Sequence, residues 1–276
     1  MLENLKYYLS IFNNVAFRAR PLRTLLFGML YYLLRLVGKD SIIKINFGKT
    51  NFKMRITPSE KHTGSAGIFI EREYYEPLLK HGYDLIQDGK AVLDCGANQG
   101  IYTLAFGSLF PKVSKVISFE PVPQMFSSLE QNVLLNDMQD ICILNQAAVS
   151  DKGGSARLDL SKGVVSASIN RSFGNNAITV NVVTIDETLE KLGLIEKVGL
   201  IKLDVEGAEL NALKGASKTL RESRPNIIIE ALSQKEWETI SEHISKEGYE
   251  YYYWNDGNLV KLEGFKVLSN VLCVPV

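Results

Sequence analysis

From residue 91 onward, short runs rich in Val, Ile and Leu alternate with stretches of helical period. AVLDC, IYTLAFGSLF, KVISFE, QMFSSLEQNVLLN and ICILNQAAV follow one another in that order. Two parallel strands cannot be joined by a tight turn, so the chain must cross over between them, and a helix is the usual crossover. The alternation therefore predicts a doubly wound α/β domain: a mostly parallel, Rossmann-like sheet with helices on both faces. Residues 155–183 break the rhythm with Gly, Ser and Asn and end in ITVNVVT, which reads as an inserted β excursion over the edge of the sheet. IDETLEKLG, GLIKLDV, AELNALKGASKTLRES and NIIIEAL then restore it, followed by a helix over QKEWETISEHISKEG. YEYYYWNDGNLVKL and NVLCVPV have no helix between them, so they are expected to pair antiparallel as a terminal hairpin.

The 276 residues suffice for one such domain with an N-terminal addition. The expected organisation is a basic, apolar helical segment over residues 1–40, a small β hairpin and helix capping the site over 41–88, and the α/β domain over 89–276. Within the first part, LRTLLFGMLYYLLRLV (Leu22 to Val37) is the most apolar long stretch, but Arg23 and Arg35 leave only residues 24–34 uncharged between them. A span needs roughly 17–25 residues, so this helix is too short to cross a bilayer. It suits either an anionic membrane surface or packing on the domain, with Pro21 at its first turn. Residues 41–57 read as a hairpin turning at Gly48-Lys49-Thr50-Asn51, SEKHTGSAGIF as a loop, and FIEREYYEPLLKHGYDLI as a helix ending near Gly89.

Lys+Arg and Asp+Glu each number 31, so no global positive field draws the chain to nucleic acid, and none is expected as a partner. Cys95, Cys142 and Cys273 lie in apolar runs with neither a CxxC pair nor a metal-ligand spacing, and read as buried thiols of a reducing, cytoplasmic compartment. His62, His81 and His243 are scattered, and no metal is expected.

In an open α/β sheet, ligands bind beyond the carboxyl ends of the strands, near the point where strand order reverses. The first strand end is Asp94-Cys95-Gly96-Ala97-Asn98-Gln99-Gly100. Its glycine spacing is GxxxG, not the GxGxxG with which dinucleotide-binding folds cradle a pyrophosphate. S-adenosylmethionine has no phosphate and carries an ammonium and a sulfonium, so Asp94 beside the loop favours it. Glu120 ends the second strand about twenty residues further on, where a carboxylate accepts hydrogen bonds from ribose hydroxyls. At the third end, Asn145 or Gln146 is a candidate for the adenine edge, while Ala147 and Ala148 leave room for the ring. The fourth end, LDVEGAE, gathers Asp204, Glu206 and Glu209, an arrangement that costs energy unless a cation, a hydroxyl or helix amides meet it. For Glu209, helix capping and a site role are equally open. Asp204 is the first candidate for acceptor contact or general base.

At these residues the sequence resembles the FkbM-type methyltransferases, over roughly residues 70–232. Three blocks carry the resemblance: VLDCGANQGIYTL, ISFEPVP and IKLDVEGAELNALKGA. It implies a seven-strand class I methyltransferase sheet and S-adenosylmethionine as cofactor, held at Asp94, Gly96, Ala97, Asn98, Gly100 and Glu120. It also implies a reaction centre lined by the catalytic residues Asp204 and Glu206. EREYYEP is similar to a segment ahead of the loop in this family, which places Glu76 at the cofactor pocket. The expected chemistry is methylation of a hydroxyl on a sugar, glycan or other small molecule. A nicotinamide oxidoreductase and a membrane-associated module without catalysis are the alternatives.

Overall fold

The computed structural model describes residues 15–59, 64–160, 177–231, 233–255, 258–264 and 268–276. Helices α1 (Val15–Ala19) and α2 (Pro21–Leu36) lead to strands β1 (Ser41–Asn46) and β2 (Asn51–Ile56), a hairpin in which Ile43, Ile45, Phe52, Met54 and Ile56 alternate inward. Pro21 opens α2, where its missing N–H costs nothing. Helix α3 (Ser65–Glu71) follows, then two 3-10 turns, Arg72–Tyr74 and Pro77–Lys80. The sequence leads one to expect a loop up to Phe69 and one continuous helix beyond it. Instead Arg72 adopts φ 55° and breaks the helix, its guanidinium lying over the rings of Phe27 (4.8 Å) and Phe69 (4.6 Å). Tertiary packing at Arg72, and Pro77 at the start of the second 3-10 turn, override the periodicity.

The main sheet then forms. Its chain order is β3 (Lys90–Cys95), α4 (Ile101–Gly107), β4 (Val113–Phe119), α5 (Pro123–Leu135) and β5 (Cys142–Asn145). An excursion follows through β6 (Ala148–Val149), β7 (Gly154–Asp159) and β8 (Ala177–Val183). The chain returns through α6 (Ile185–Leu192), β9 (Val198–Leu203), α7 (Glu209–Lys214), α8 (Ser217–Glu222), β10 (Asn226–Ala231), α9 (Gln234–Ser245), β11 (Tyr249–Asn255), β12 (Asn258–Lys261) and β13 (Leu268–Pro275). The strand order is β12-β11-β13-β10-β9-β3-β4-β5, with β3, β4, β5, β9 and β10 parallel. Order reverses between β3 and β9, which makes their carboxyl ends the ligand position of a doubly wound fold. As expected, β11 and β13 pair antiparallel; β13 lies between β11 and β10 and is antiparallel to both, while β12 turns back to pair with β11 at the edge.

Both faces of the sheet are covered at its centre, so β3, β4, β9 and β10 are buried over most of their length, whereas β12 at the edge is exposed. Val92, Val116, Leu200 and Ile228 pack toward α4 and the β1–β2 hairpin, whereas Leu93, Ile117, Ile201 and Ile229 pack toward α6–α9. The excursion does not join this sheet: β6, β8 and β7 form a three-stranded one whose Leu158, Val180 and Val182 pack on Val122 and Met125. The expected helix over AELNALKGASKTLRES is interrupted at Gly215, where the chain runs so close to the turn after β6 that a Cβ would sit 2.1 Å from the Ser150 carbonyl oxygen. The hairpin is anchored to α5 by side chains that satisfy the open edge of β2, Asn132 accepting from the Arg55 N–H (2.8 Å) and Asn136 from the Lys53 N–H (2.7 Å). All three cysteines are buried and free.

Candidate active site

A cavity of about 270 Å³ opens at the carboxyl ends of β3, β4, β9 and β10, with Met54 of the hairpin, Ile68 of α3 and Leu158 of the excursion among its walls. The loop after β3 shapes one side. Gly96 stands at φ 82°, and a Cβ there would lie 1.8 Å from the Asp204 carbonyl oxygen, so only glycine admits the contact. Asn98 takes φ 51°, with its backbone N–H pointing at Glu120.

Glu120, only 5% exposed, uses both oxygens to hold this loop and the next: Oε2 accepts from the Asn98 N–H and Oε1 from the Val122 N–H, each at 2.8 Å. A carboxylate has about four acceptor positions, so the oxygens that face the cavity keep capacity for two hydroxyls. Burial pushes the Glu120 carboxyl up to about 7 against these two bonds. Asp94 is fully buried beneath the loop; Oδ2 accepts from Thr103 Oγ1 at 2.6 Å, while Oδ1 has no partner among the described residues.

A second cluster stands across the cavity. Lys202, 3% exposed, places Nζ 2.8 Å from Asp204 Oδ2 and 4.8 Å from the centre of the Tyr102 ring. Tyr102 donates to Glu76 Oε2 at 2.7 Å, and Glu230, at the end of β10, is hydrogen-bonded to Asp204. Burial works against the charge of Lys202, but Asp204 and Asp94 outweigh it and hold the ammonium above its ordinary pKa. Burial also opposes ionisation of Asp204, yet Lys202 and the bond from Glu230 keep its carboxyl below the usual range. Glu230 moves the other way, raised by burial and by the charge of Asp204. One proton therefore resides on Glu230 and donates to an ionised Asp204. Burial raises Glu76 and Asp94 as well.

Carboxyl groups surround the cavity, and Lys202 is the one cation among the described residues that line it. Three of them, Glu76, Glu120 and Glu230, together with Asp94 beneath the loop, have raised proton affinity because burial and like charges disfavour their ionised forms. A ligand carrying positive charge relieves that cost, and a phosphate compounds it. The donor set thus fits the ammonium, sulfonium and ribose of S-adenosylmethionine.

Of the residues expected from sequence, Glu76, Gly96, Ala97, Asn98, Glu120, Ala147, Asp204 and Glu206 line the cavity. Glu206 does so at φ 54°, a conformation non-glycine residues rarely hold. Asp94, Gly100, Asn145 and Gln146 do not. Gly100 instead brings the start of α4 against Leu129, which a Cβ would approach to 2.5 Å. Asn145 donates to the Ser118 carbonyl (3.2 Å), and Gln146 is exposed outside the cavity. Glu209 accepts from the N–H groups of Val205 (3.0 Å) and Gly207 (3.3 Å), and pins the turn before α7. The sequence alone does not single out Lys202, Glu230 and Tyr102, although a lysine inside GLIKLDV and an acid closing NIIIEAL are both unusual in buried strands. His62 lies outside the described residues, and among the described residues no group of three or more His, Cys, Asp or Glu is placed to hold a metal.

Comparison with known proteins places the chain in a family. The model of the methyltransferase FkbM domain matches residues 94–251. Methyltransferase 1 of Beauveria bassiana is 24% identical over 62% of this chain and 77% of its own length. The 31-O-demethyl-FK506 methyltransferase FkbM of Streptomyces tacrolimicus is 27% identical over 66% and 74% respectively. Among solved structures, a methyltransferase FkbM from Methylobacillus flagellatus aligns with a TM-score of 0.48 and 14% identity, covering 78% of this chain; the chain spans 55% of that protein. The family match sets aside the nicotinamide alternative: this chain belongs to the FkbM methyltransferase family.

Proposed function

We propose that the protein transfers a methyl group from S-adenosylmethionine to a hydroxyl oxygen of a sugar, glycan or other small molecule. The observation that carries this reading is the division of the cavity between Glu120 at one wall and the Lys202–Asp204–Glu230 cluster at another. The name of the Streptomyces relative, a 31-O-demethyl-FK506 methyltransferase, supports oxygen as the acceptor atom.

Glu120 would receive the ribose hydroxyls, Asn98 and Ala97 the adjoining loop contacts, and the apolar wall of Ala147, Ala148 and Leu158 the adenine ring. When bound, the cofactor supplies an electrophilic methyl on a sulfonium. Asp204 then orients the acceptor hydroxyl. Its lowered proton affinity makes it a weak base for a free alcohol, but an oxygen that is gaining a bond to carbon sheds its proton far more readily. Lys202 keeps Asp204 ionised and ready to accept that proton, and Glu230 fixes the carboxylate by donating to it. Tyr102 and Glu76, joined at 2.7 Å, close the wall nearest α3, while Met54 and Ile68 keep water out.

A tritium-methyl transfer screen over pools of glycans, lipid-linked sugars and small alcohols tests the proposal. Base-stable label in a hydroxyl-bearing product is the expected outcome. Label appearing only on amines, or on no pool despite saturating cofactor, contradicts it.

A further inference from the structure

Helix α2 is apolar on two opposite sides. Placed at 3.6 residues per turn, Thr24, Phe27, Tyr31 and Leu34 share the side packed on the domain. Leu22, Leu26, Met29, Leu33, Leu36 and Val37 span an arc of about 100° on the opposite side. These six are between 49% and 83% exposed. A helix that is apolar all round is normally covered on every side, and nothing in the described chain covers this one.

Charge identifies the cover. Arg18 and Arg20 stand exposed before the helix, and Arg35 and Lys39 at its end, whereas residues 4–39 contain no Asp or Glu at all. The acids nearest this layer are engaged: Glu73 takes both guanidinium nitrogens of Arg23 at 2.7 Å, and Asp40 is bound to Arg55 at 2.6 Å. An exposed apolar stripe with cations at both ends matches a bilayer whose headgroups are anionic, the apolar side chains entering the acyl boundary and the cations meeting phosphates. No described helix is long and apolar enough to cross such a bilayer. We infer that α2 seats the protein in the interface of an anionic membrane. The seat is rigidly joined to the catalytic layer, because Phe27 and Tyr31 pack on Phe69 at 6.0 and 5.6 Å, and the same helix α3 contributes Ile68 to the cavity.

Co-sedimentation of the full chain with phosphatidylglycerol–phosphatidylcholine vesicles, and with phosphatidylcholine alone, tests the inference independently of catalysis. Partition into the anionic vesicles is expected, weakening with salt. Each basic residue near such a surface contributes roughly five-fold, so reversing Arg18, Arg20, Arg35 and Lys39 to Glu should lower partition by at least about 100-fold. Leu26→Ser with Met29→Ser and Leu33→Ser should release the protein as well. Both variants alter exposed positions and should keep the wild-type melting temperature and cofactor titration, which separates this inference from the methyltransferase reading. Wild-type protein remaining in the supernatant overturns it. So does a dimer that the Leu26/Met29/Leu33 variant dissociates, since a second copy is then the cover.

Discussion

The Cβ that Gly96 lacks would lie 1.8 Å from the carbonyl oxygen of Asp204. The loop that would receive the cofactor and the strand end that would face the acceptor are therefore in backbone contact, tied again by the Asp204 N–H donating to Cys95 oxygen at 3.1 Å. A shift in one is transmitted to the other.

Gly96→Ala introduces that clash at a positive φ, which costs about 1–2 kcal/mol for the backbone and a further 1–3 for forced displacement. The expected result is a melting temperature lower by roughly 5–15 °C together with loss of cofactor binding. Wild-type stability in thermal unfolding would show that the two backbones are not in contact.

Lys202→Met leaves Asp204 without its counter-charge. Breaking a fully buried pair costs about 3–5 kcal/mol, but the Asp204 side chain is 36% exposed, and about 1–3 kcal/mol is expected after screening. Asp204 is depressed in the fold, so its contribution to stability is present above the unfolded carboxylate value and lost as pH falls through the folded one. The wild-type advantage over the variant should accordingly be largest near neutrality and vanish in acid. In turnover, the acid limb of the variant's pH profile should move to higher pH. An unmoved limb in a pH–rate series would separate Asp204 from the proton step.

Glu230→Gln has the opposite sign. Glu230 holds its proton up to about 8 in the fold, above the ordinary value of 4.5, so wild-type stability falls as pH rises between those values. Glutamine cannot ionise and can still donate to Asp204. The variant should melt higher than wild type at pH 8, by a margin that shrinks toward pH 5, with methyl transfer reduced only a few-fold. Melting curves that run parallel at all pH values would contradict the shared proton.

The parts of this site legible in the sequence are those that local chemistry dictates. GANQG after an apolar strand and acids closing the next strands mark Gly96, Asn98, Glu120 and Asp204 without knowledge of the fold. The parts that were not legible depend on distant neighbours. Lys202 reads as a stray charge until Asp204 and Tyr102 are placed beside it, and Glu230 until β10 is seated next to β9. Likewise the helix expected through Arg72 ends where aromatic rings of α2 and α3 capture its guanidinium, and the one through Gly215 where the turn after β6 approaches closely. Asn145 shows the converse: a polar residue at a strand end looks available for a ligand, yet the neighbouring strand's carbonyl has claimed it.

Binding of S-adenosylmethionine through Glu120 is tested by calorimetric titration of the cofactor into wild-type protein and into Glu120→Ala. One saturable site is expected in the wild type. Affinity should rise as pH passes through about 7, where Glu120 ionises and becomes the stronger acceptor. The alanine variant should bind at least about 100-fold more weakly, since two hydrogen bonds to a charged group contribute roughly 1.5–3 kcal/mol each. Wild-type protein that releases no heat with S-adenosylmethionine, or an alanine variant that binds it equally well, would show that Glu120 does not hold the cofactor.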